Sequence, residues 1–127
     1  MALLLISVTN VLRTPCKMFL RVWQFRASPG NEAEFETVYG PGGDWGRLFR
    51  AGPGYLGTEL LKAEQGTSDY LTIDRWESRD AWISFLELHS VEYEALDRAC
   101  ERLCRVDARI GEFVPVDEQS RAQVADG

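Results

Sequence analysis

The sequence predicts an α+β domain of the ferredoxin-like class, with a four-stranded antiparallel sheet and two main helices. Strand-like alternation runs over residues 54–61 and again over 70–76, separated by a short turn that suits a hairpin. A strand-like run and an amphipathic helix precede this hairpin, and a longer helical stretch and a final strand follow it. The predicted order is therefore β-α-β-β-α-β.

The first strand is predicted over residues 19–26, where aromatic and β-branched residues are frequent. Alternation places Arg21 on the same face as Phe19, Trp23 and Phe25. If that face is covered, the charge of Arg21 requires a carboxylate or an anionic substrate as partner.

Helix boundaries follow from capping and breaking residues. Asn31 is expected to cap the first main helix, with Glu34 completing a capping-box pair. The glycine- and proline-rich run 40–43 ends this helix, and Asp44 is expected to cap a second short one. The segment 39–50 allows two interpretations, a lid over a site or a helical connection that buries its aromatic side chains.

The second half of the chain predicts one further helical region and a closing strand. Ser78 is expected to cap the second main helix, and Ser90 marks either a fresh cap or a kink. The last strand is expected over about 105–113.

Composition limits the domain organisation and the partners. A chain of 127 residues suits one domain, predicted at 18–113, with an N-terminal extension at 1–17 and a polar tail at 114–127. The extension is what a start codon assigned too early would give, or an arm that packs on a sheet edge. A net charge of −6 disfavours nucleic acid as a partner. The apolar run 2–8 is too short to span a bilayer and lacks a basic flank, so no membrane partner is expected.

Cysteine usage indicates reduced thiols and a cytoplasmic location. Cys16, Cys100 and Cys104 form an odd set without a C-x-x-C pattern. Cys100 and Cys104 are expected on one helix at i and i+4, but a zinc site would need further ligands and His89 is the only histidine. No metal is predicted, and the two thiols are interpreted as small buried side chains.

The sheet is expected to need a partner, because helices in this fold cover one face only. The other face is predicted to carry Tyr55, Leu61, Tyr70 and Trp76, which are too apolar to remain in water. This argument predicts a homodimer with the two sheets packed face to face. Asp74 and Glu59 are interpreted as partners of arginines across that dimer.

The segments 54–61, 70–78 and 81–86 resemble the antibiotic biosynthesis monooxygenase family, and the resemblance covers roughly 18–113. The resemblance implies a dimeric α/β barrel and a small aromatic substrate. It also implies a structural role for Trp76. Some members oxidise aromatic polyketides or quinols with molecular oxygen and no cofactor.

Other members of that family degrade haem with an asparagine on the first strand and a tryptophan and a histidine on the later helix. The matching positions here are Trp23, Phe85 and approximately Ala95. His89 lies about two helical turns before the histidine position. Haem degradation is therefore disfavoured.

The resemblance leaves the reacting residues to be chosen from the chain itself. His89 is the first candidate for a base, since imidazole titrates near neutral pH, and Tyr93 is the second catalytic candidate. A half-exposed histidine at a helix end is the alternative for His89. The aromatic residues expected to line a pocket for a planar aromatic substrate, or else to pack a small core, are Trp23, Tyr39, Trp45, Trp82 and Tyr93. Arg21 is the further substrate-binding candidate, as the partner of a substrate anion.

These expectations converge on a cofactor-independent monooxygenase acting on an aromatic, polyketide or quinol-type molecule. The alternative is a non-catalytic, small-molecule-binding or stress-associated member of the same family. Motifs for phosphate binding, dinucleotide binding, serine hydrolysis and zinc proteolysis are absent from the sequence.

Overall fold

The computed structural model describes residues 18–66 and 68–116. The expectations for 1–17 and for the tail beyond residue 116 lie outside the described residues. The elements in chain order are β1 (Phe19–Ala27), α1 (Glu32–Tyr39), α2 (Asp44–Phe49), β2 (Tyr55–Lys62), β3 (Asp69–Trp76), α3 (Arg79–Leu88), α4 (Ser90–Cys100), a 3-10 turn (Glu101–Leu103) and β4 (Cys104–Phe113). No helix in these ranges combines the length and the apolar character needed to cross a bilayer.

The four strands form one antiparallel sheet in the order β2-β3-β1-β4. This is the strand order of the ferredoxin-like fold, so the predicted fold class is confirmed. The pairing of β1 with β4 shifts register between Val22 and Trp23, and that of β2 with β3 between Tyr55 and Gly57. Each shift marks a local irregularity of the kind that bends a strand.

Helices cover one face of the sheet, and the core between them is mainly aromatic. Trp76 is completely buried, and its ring centroid lies 5.5 Å from that of Trp82 and 5.3 Å from that of Phe85. The helix α2 buries Trp45 and Phe49, which is the helical-connection interpretation of segment 39–50. The large buried aromatic side chains are Phe19, Phe25, Phe35, Tyr39, Trp45, Phe49, Tyr70, Trp76, Trp82 and Phe85.

The opposite face of the sheet has no helix over it in the described chain and is apolar at its centre. This open sheet face carries the polar side chains Gln24, Arg26, Glu59, Asp69 and Arg75, and the large apolar ones Leu20, Val22, Leu61, Leu71, Ile73 and Phe113. Leu61 and Phe113 are 40% and 48% exposed, and the other four apolar residues are partly exposed.

The prediction that Tyr70 and Trp76 lie on the open sheet face is wrong, because both are buried under the helices. Tyr55 also packs inward, with its ring 5.3 Å from Trp76, whereas Leu61 lies on the open sheet face as expected. Asp74 alternates with Tyr70 and Trp76, so it too is buried beneath the helices rather than free to pair across a dimer. Alternation defines two faces of a strand, but it does not say which one the helices cover.

The predicted helix boundaries are confirmed at one helix start and differ from the structure at Asn31 and at Cys104. The Ser78 hydroxyl accepts a hydrogen bond from the Ala81 amide at 3.0 Å, which confirms the predicted cap of α3. Asn31 makes no side-chain cap, since its amide donates to the Arg102 carbonyl, and Glu34 pairs with the Arg102 guanidinium. Cys104 begins β4 and is not helical, because the 3-10 turn ends the helical stretch before it.

Candidate functional site

A cavity of about 270 Å³ lies between the helix-covered face of the sheet and the helices. All four strands and three of the helices contribute side chains to it. The lining residues are Arg21, Trp23, Phe25, Tyr39, Trp45, Phe49, Thr58, Thr72, Asp74, Tyr93, Asp97 and Asp107. The cavity is large enough for a small aromatic molecule, and its lining combines aromatic rings with charged and hydroxyl groups.

The aromatic walls of the cavity are held by mutual ring contacts. The Trp45 ring centroid lies 5.8 Å from that of Phe49 and 5.1 Å, edge-on, from that of Tyr93. Tyr39 packs on Phe25 at 4.8 Å. Because these rings also form part of the core, the walls are rigid and present flat apolar surfaces to a planar guest.

Arg21 brings a buried positive charge to the cavity. Only 7% of this residue is exposed, and its Nε donates to Oε2 of Glu112 at 3.3 Å. The guanidinium carbon lies 4.0 Å from the Trp82 ring centroid, in cation–π geometry. Glu112 is shared with Arg79 at 3.3 Å and Arg109 at 3.7 Å, so one carboxylate faces three guanidinium groups. The charge of Arg21 is therefore only partly neutralised.

Asp74 brings a buried carboxyl group to the same cavity. Its Oδ1 accepts a hydrogen bond of 2.6 Å from the Thr58 hydroxyl, whose oxygen lies 2.6 Å from the Tyr55 hydroxyl. Since Thr58 donates its only hydroxyl proton to Asp74, Tyr55 is the donor in the second bond. Burial raises the pKa of Asp74 to about 6, against the opposing effects of the Thr58 hydrogen bond and the charge of Arg21.

The remaining polar lining is Thr72 of β3 together with side chains from α4 and β4. Burial raises the pKa of the Tyr93 phenol, while the charge of Arg21 and a hydrogen bond with it act in the opposite direction. Asp97 and Asp107 are exposed, so they mark the solvent side of the cavity. Burial, and then the negative charge of Asp107, raise the pKa of Asp97.

Five side chains selected from the sequence do line the cavity, namely Arg21, Trp23, Tyr39, Trp45 and Tyr93. Trp82 lies behind Arg21 and contacts its guanidinium rather than the cavity. His89 does not line the cavity. Its Nδ1 lies 3.1 Å from Oε2 of Glu92, and its ring stacks on Phe85 at a centroid distance of 5.2 Å. The catalytic roles assigned to His89 and Tyr93 stay predictions.

Sequence reasoning did not assign the polar lining residues Thr58, Thr72, Asp74, Asp97 and Asp107 to the site, and Asp74 is the buried carboxyl group among them. Its signal was its alternation with Tyr70 and Trp76, together with an arginine on an otherwise aromatic face of the first strand. To assign Asp74 to the site, one must know that β1 and β3 are neighbours in the sheet. The order of the strands along the chain does not give this pairing.

The sequence model of the antibiotic biosynthesis monooxygenase family matches residues 18–92, more than half of the chain. This chain belongs to the antibiotic biosynthesis monooxygenase family. The match covers the elements from β1 to the start of α4, and these supply the cavity lining apart from Asp97, Tyr93 and Asp107. Comparison with curated protein sequences finds no match.

Solved structures of other proteins have the same fold. SnoaB, a cofactor-independent oxygenase from Streptomyces nogalater, superposes with a TM-score of 0.65 at 23% identity, over 80% of this chain and 95% of its own. PA3566 from Pseudomonas aeruginosa gives 0.60 at 15% identity, over 81% and 98%. NE2512 from Nitrosomonas europaea gives 0.59 at 16% identity, over 81% and 93%. At identities of 15–23%, these similarities establish that this chain shares the fold of the three proteins.

Proposed function

We propose that this family member is a cofactor-independent monooxygenase that oxidises an aromatic, polyketide or quinol-type molecule in the cavity. The observation that carries the proposal is a buried guanidinium, that of Arg21, set among the aromatic walls of an internal cavity. Membership of the monooxygenase family and the similarity in fold to SnoaB support this reaction class. Arg21, Trp23, Tyr39 and Trp45 would bind the substrate, and Tyr93 would contact its oxygen atom.

The chemistry needs a substrate that can reduce oxygen once it is deprotonated. The anion of an anthrone or hydroquinone transfers an electron to molecular oxygen, and a positive charge beside it stabilises the anion. In an anthrone, the methylene carbon loses both hydrogens and gains one atom of oxygen, while the other atom leaves as water. The substrate supplies all the electrons, so the step needs no external reductant.

Substrate shape follows from the walls of the cavity. Trp45 and Phe49 on one side and Tyr39 and Phe25 on another form flat apolar surfaces, and Arg21 lies among them. A planar ring system with a hydroxyl group at one edge would place its apolar body against the rings and its oxygen toward Arg21.

The proposal includes a homodimer that buries the open sheet face. Leu20, Val22, Leu71 and Ile73 lie side by side on β1 and β3, and Leu61 and Phe113 extend the surface to both edges. A second copy placed sheet against sheet would remove these side chains from water, which favours association.

We also propose a cytoplasmic location, since both described cysteines, Cys100 and Cys104, are free thiols.

Oxygen consumption with a panel of anthrones and hydroquinones tests this function. We expect uptake of one oxygen molecule per product without release of hydrogen peroxide, and a loss of at least tenfold in kcat/KM for Arg21→Gln. Tyr93→Phe and His89→Ala test the two catalytic roles predicted from sequence. Binding of panel members without oxygen consumption would reject the monooxygenase and support the alternative, a non-catalytic binding protein.

A further inference from the structure

Resting on the proposed function, we infer that Asp74 accepts the proton of a phenolic hydroxyl group of the substrate and that Arg21 stabilises the phenolate formed. Asp74 would then be a catalytic residue, in direct contact with the reacting oxygen. The inference depends on how these two side chains are placed, and on which of their atoms remain free.

Arg21 and Asp74 are directly opposite each other on the neighbouring strands β1 and β3. Both are buried and both line the cavity. Side chains opposite each other on such strands begin about 5 Å apart, close enough for an ion pair. Even so, these two do not form one, since Arg21 pairs with Glu112 and Asp74 accepts from Thr58. The arrangement leaves a buried acceptor and a buried cation facing the same space.

One oxygen of Asp74 remains available to a ligand. Thr58 binds Oδ1, and the described residues offer Oδ2 no hydrogen bond. In the described part of the chain, the side-chain atoms that are both fully buried and without a partner are Trp45 Nε1 and Trp76 Nε1. Oδ2 of Asp74 has no partner but is not one of them, so it is accessible from the cavity. A buried carboxylate oxygen without a donor is unfavourable, and a substrate hydroxyl group would supply one.

Arg21 likewise keeps unused capacity. Its Nε is bound to Glu112, but Glu112 is shared with Arg79 and Arg109. The terminal amino groups of Arg21 form no hydrogen bond with a carboxylate in the described residues, and the hydroxyl group of Tyr93 is the further hydrogen-bonding partner of this guanidinium. A phenolate oxygen placed here would receive charge-assisted hydrogen bonds.

The proton transfer is balanced within the cavity. The substrate O–H bond breaks, a new O–H bond forms on Oδ2 of Asp74, and the electron pair remains on the phenolate oxygen beside Arg21. The negative charge moves from Asp74 to the substrate, so the total charge of the cavity does not change. Among the described residues, the other charged or titratable groups that line the cavity with Asp74 are Tyr39 from α1, Tyr93 and Asp97 from α4, and Asp107 from β4. Tyr55 from β2 is bound to Thr58 and also acts on Asp74.

Binding of 4-nitrophenol tests the transfer without turnover, since its phenol and phenolate forms absorb differently and oxygen does not oxidise it. At a pH slightly above the pKa of about 6 of Asp74, we expect wild type and Asp74→Asn both to bind the phenolate. Calorimetry in buffers of different ionisation enthalpy measures the protons released on binding. Asp74→Asn should release up to one proton more per bound ligand than wild type, because the proton that wild type transfers to Asp74 goes to the buffer instead. The matched control is Glu87→Gln, the same carboxylate-to-amide change at an exposed position on α3, and it should behave as wild type.

The pH dependence of oxygen consumption supplies the kinetic test. Wild-type kcat/KM should rise with pH around 6, which gives the pH profile an ascending limb. In Asp74→Asn this limb should be absent, and kcat/KM should be at least tenfold lower than in wild type. Thr58→Val removes a hydrogen bond that lowers the pKa of Asp74, so the rise of kcat/KM with pH should move to higher pH in this variant.

Each outcome separates the two proposals. Equal proton release by wild type and Asp74→Asn, or an unchanged pH limb in Thr58→Val, would overturn the role of Asp74 while leaving the monooxygenase intact. Proton transfer to Asp74 without any oxygen consumption would support this inference and reject the function. Failure of 4-nitrophenol to bind would count against this inference, whereas absence of oxygen consumption with every panel member would reject the function.

Discussion

Arg21 and Asp74 occupy paired positions on β1 and β3, are both buried against one cavity, and form no ion pair with each other. Each has a different partner, Glu112 for Arg21 and Thr58 for Asp74. A buried carboxyl and a buried guanidinium that remain separate are costly to stability, and such cost is typical of functional sites.

Asp74→Asn should stabilise the protein at neutral pH. Folding raises the pKa of Asp74 from 3.8 to about 6 because burial disfavours the charged form, so the folded state holds this proton more tightly than the unfolded state. The free energy of unfolding therefore falls as pH rises between these values. Above them, the variant should exceed wild type by up to ~3 kcal/mol, and below pH 3.8 the difference should vanish.

Urea unfolding across this pH range measures the effect on Asp74→Asn. Glu87→Gln, exposed on α3, serves as control and should match wild type at each pH. A variant that is less stable than wild type at neutral pH would contradict the assignment of Asp74 as a buried, poorly solvated carboxyl group.

Arg21→Gln should raise the pKa of Asp74 further, since the charge of Arg21 opposes the effect of burial. It should also cost roughly 1–2 kcal/mol of stability, because the cation–π contact with Trp82 is lost. Carbon-13 titration of the Asp74 carboxyl measures the first effect and thermal unfolding the second. Arg79→Gln removes another, more exposed partner of Glu112 and should leave the Asp74 titration unchanged. Similar titration of Asp74 in wild type and Arg21→Gln would show that the two charges do not interact.

Ile73→Glu should convert a homodimer to a monomer. Ile73 lies on the open sheet face opposite Val22, where a charged side chain could not be buried without a large cost. Sedimentation should give about twice the 14.4 kDa chain mass for wild type and the single-chain mass for the variant. Glu87→Lys, a charge change on the exposed surface of α3, should leave the mass unchanged. A monomeric wild type would reject the proposed dimer.

Ser78→Ala should destabilise the protein by about 1 kcal/mol, because the Ala81 amide at the start of α3 loses its acceptor. Ser90 provides the matched control, since it begins α4 without a side-chain cap and its loss should cost less than ~0.5 kcal/mol. Thermal or urea unfolding of the two variants measures the difference. Equal costs would indicate that the hydroxyl of Ser78 does not act as a cap.

The sequence was sufficient for features that depend on local patterns. Alternation gave the strands, and Ser78 marked the start of α3. The order of elements then fixed the fold class, because few topologies accept β-α-β-β-α-β with short connections. Local capping was less predictable at Asn31, where a contact with Arg102 from the other end of the chain replaced the expected cap.

The candidate site was only partly accessible from sequence, for a physical reason. Aromatic residues such as Trp23 and Trp45 could be selected by type, but His89 was chosen for its chemistry and lies beside Glu92, away from the cavity. Asp74 was interpreted as a dimer contact, since alternation does not say which strand face the helices cover.

By itself, the sequence determined the fold class, the family resemblance and the presence of Arg21 on an aromatic strand face. Only the tertiary structure decided that β3 lies beside β1, which sets Asp74 opposite Arg21. It also decided that Thr58 of β2 holds that carboxyl group. These relationships join residues far apart along the chain, and they arise from strand pairing and helix packing, which no local pattern encodes.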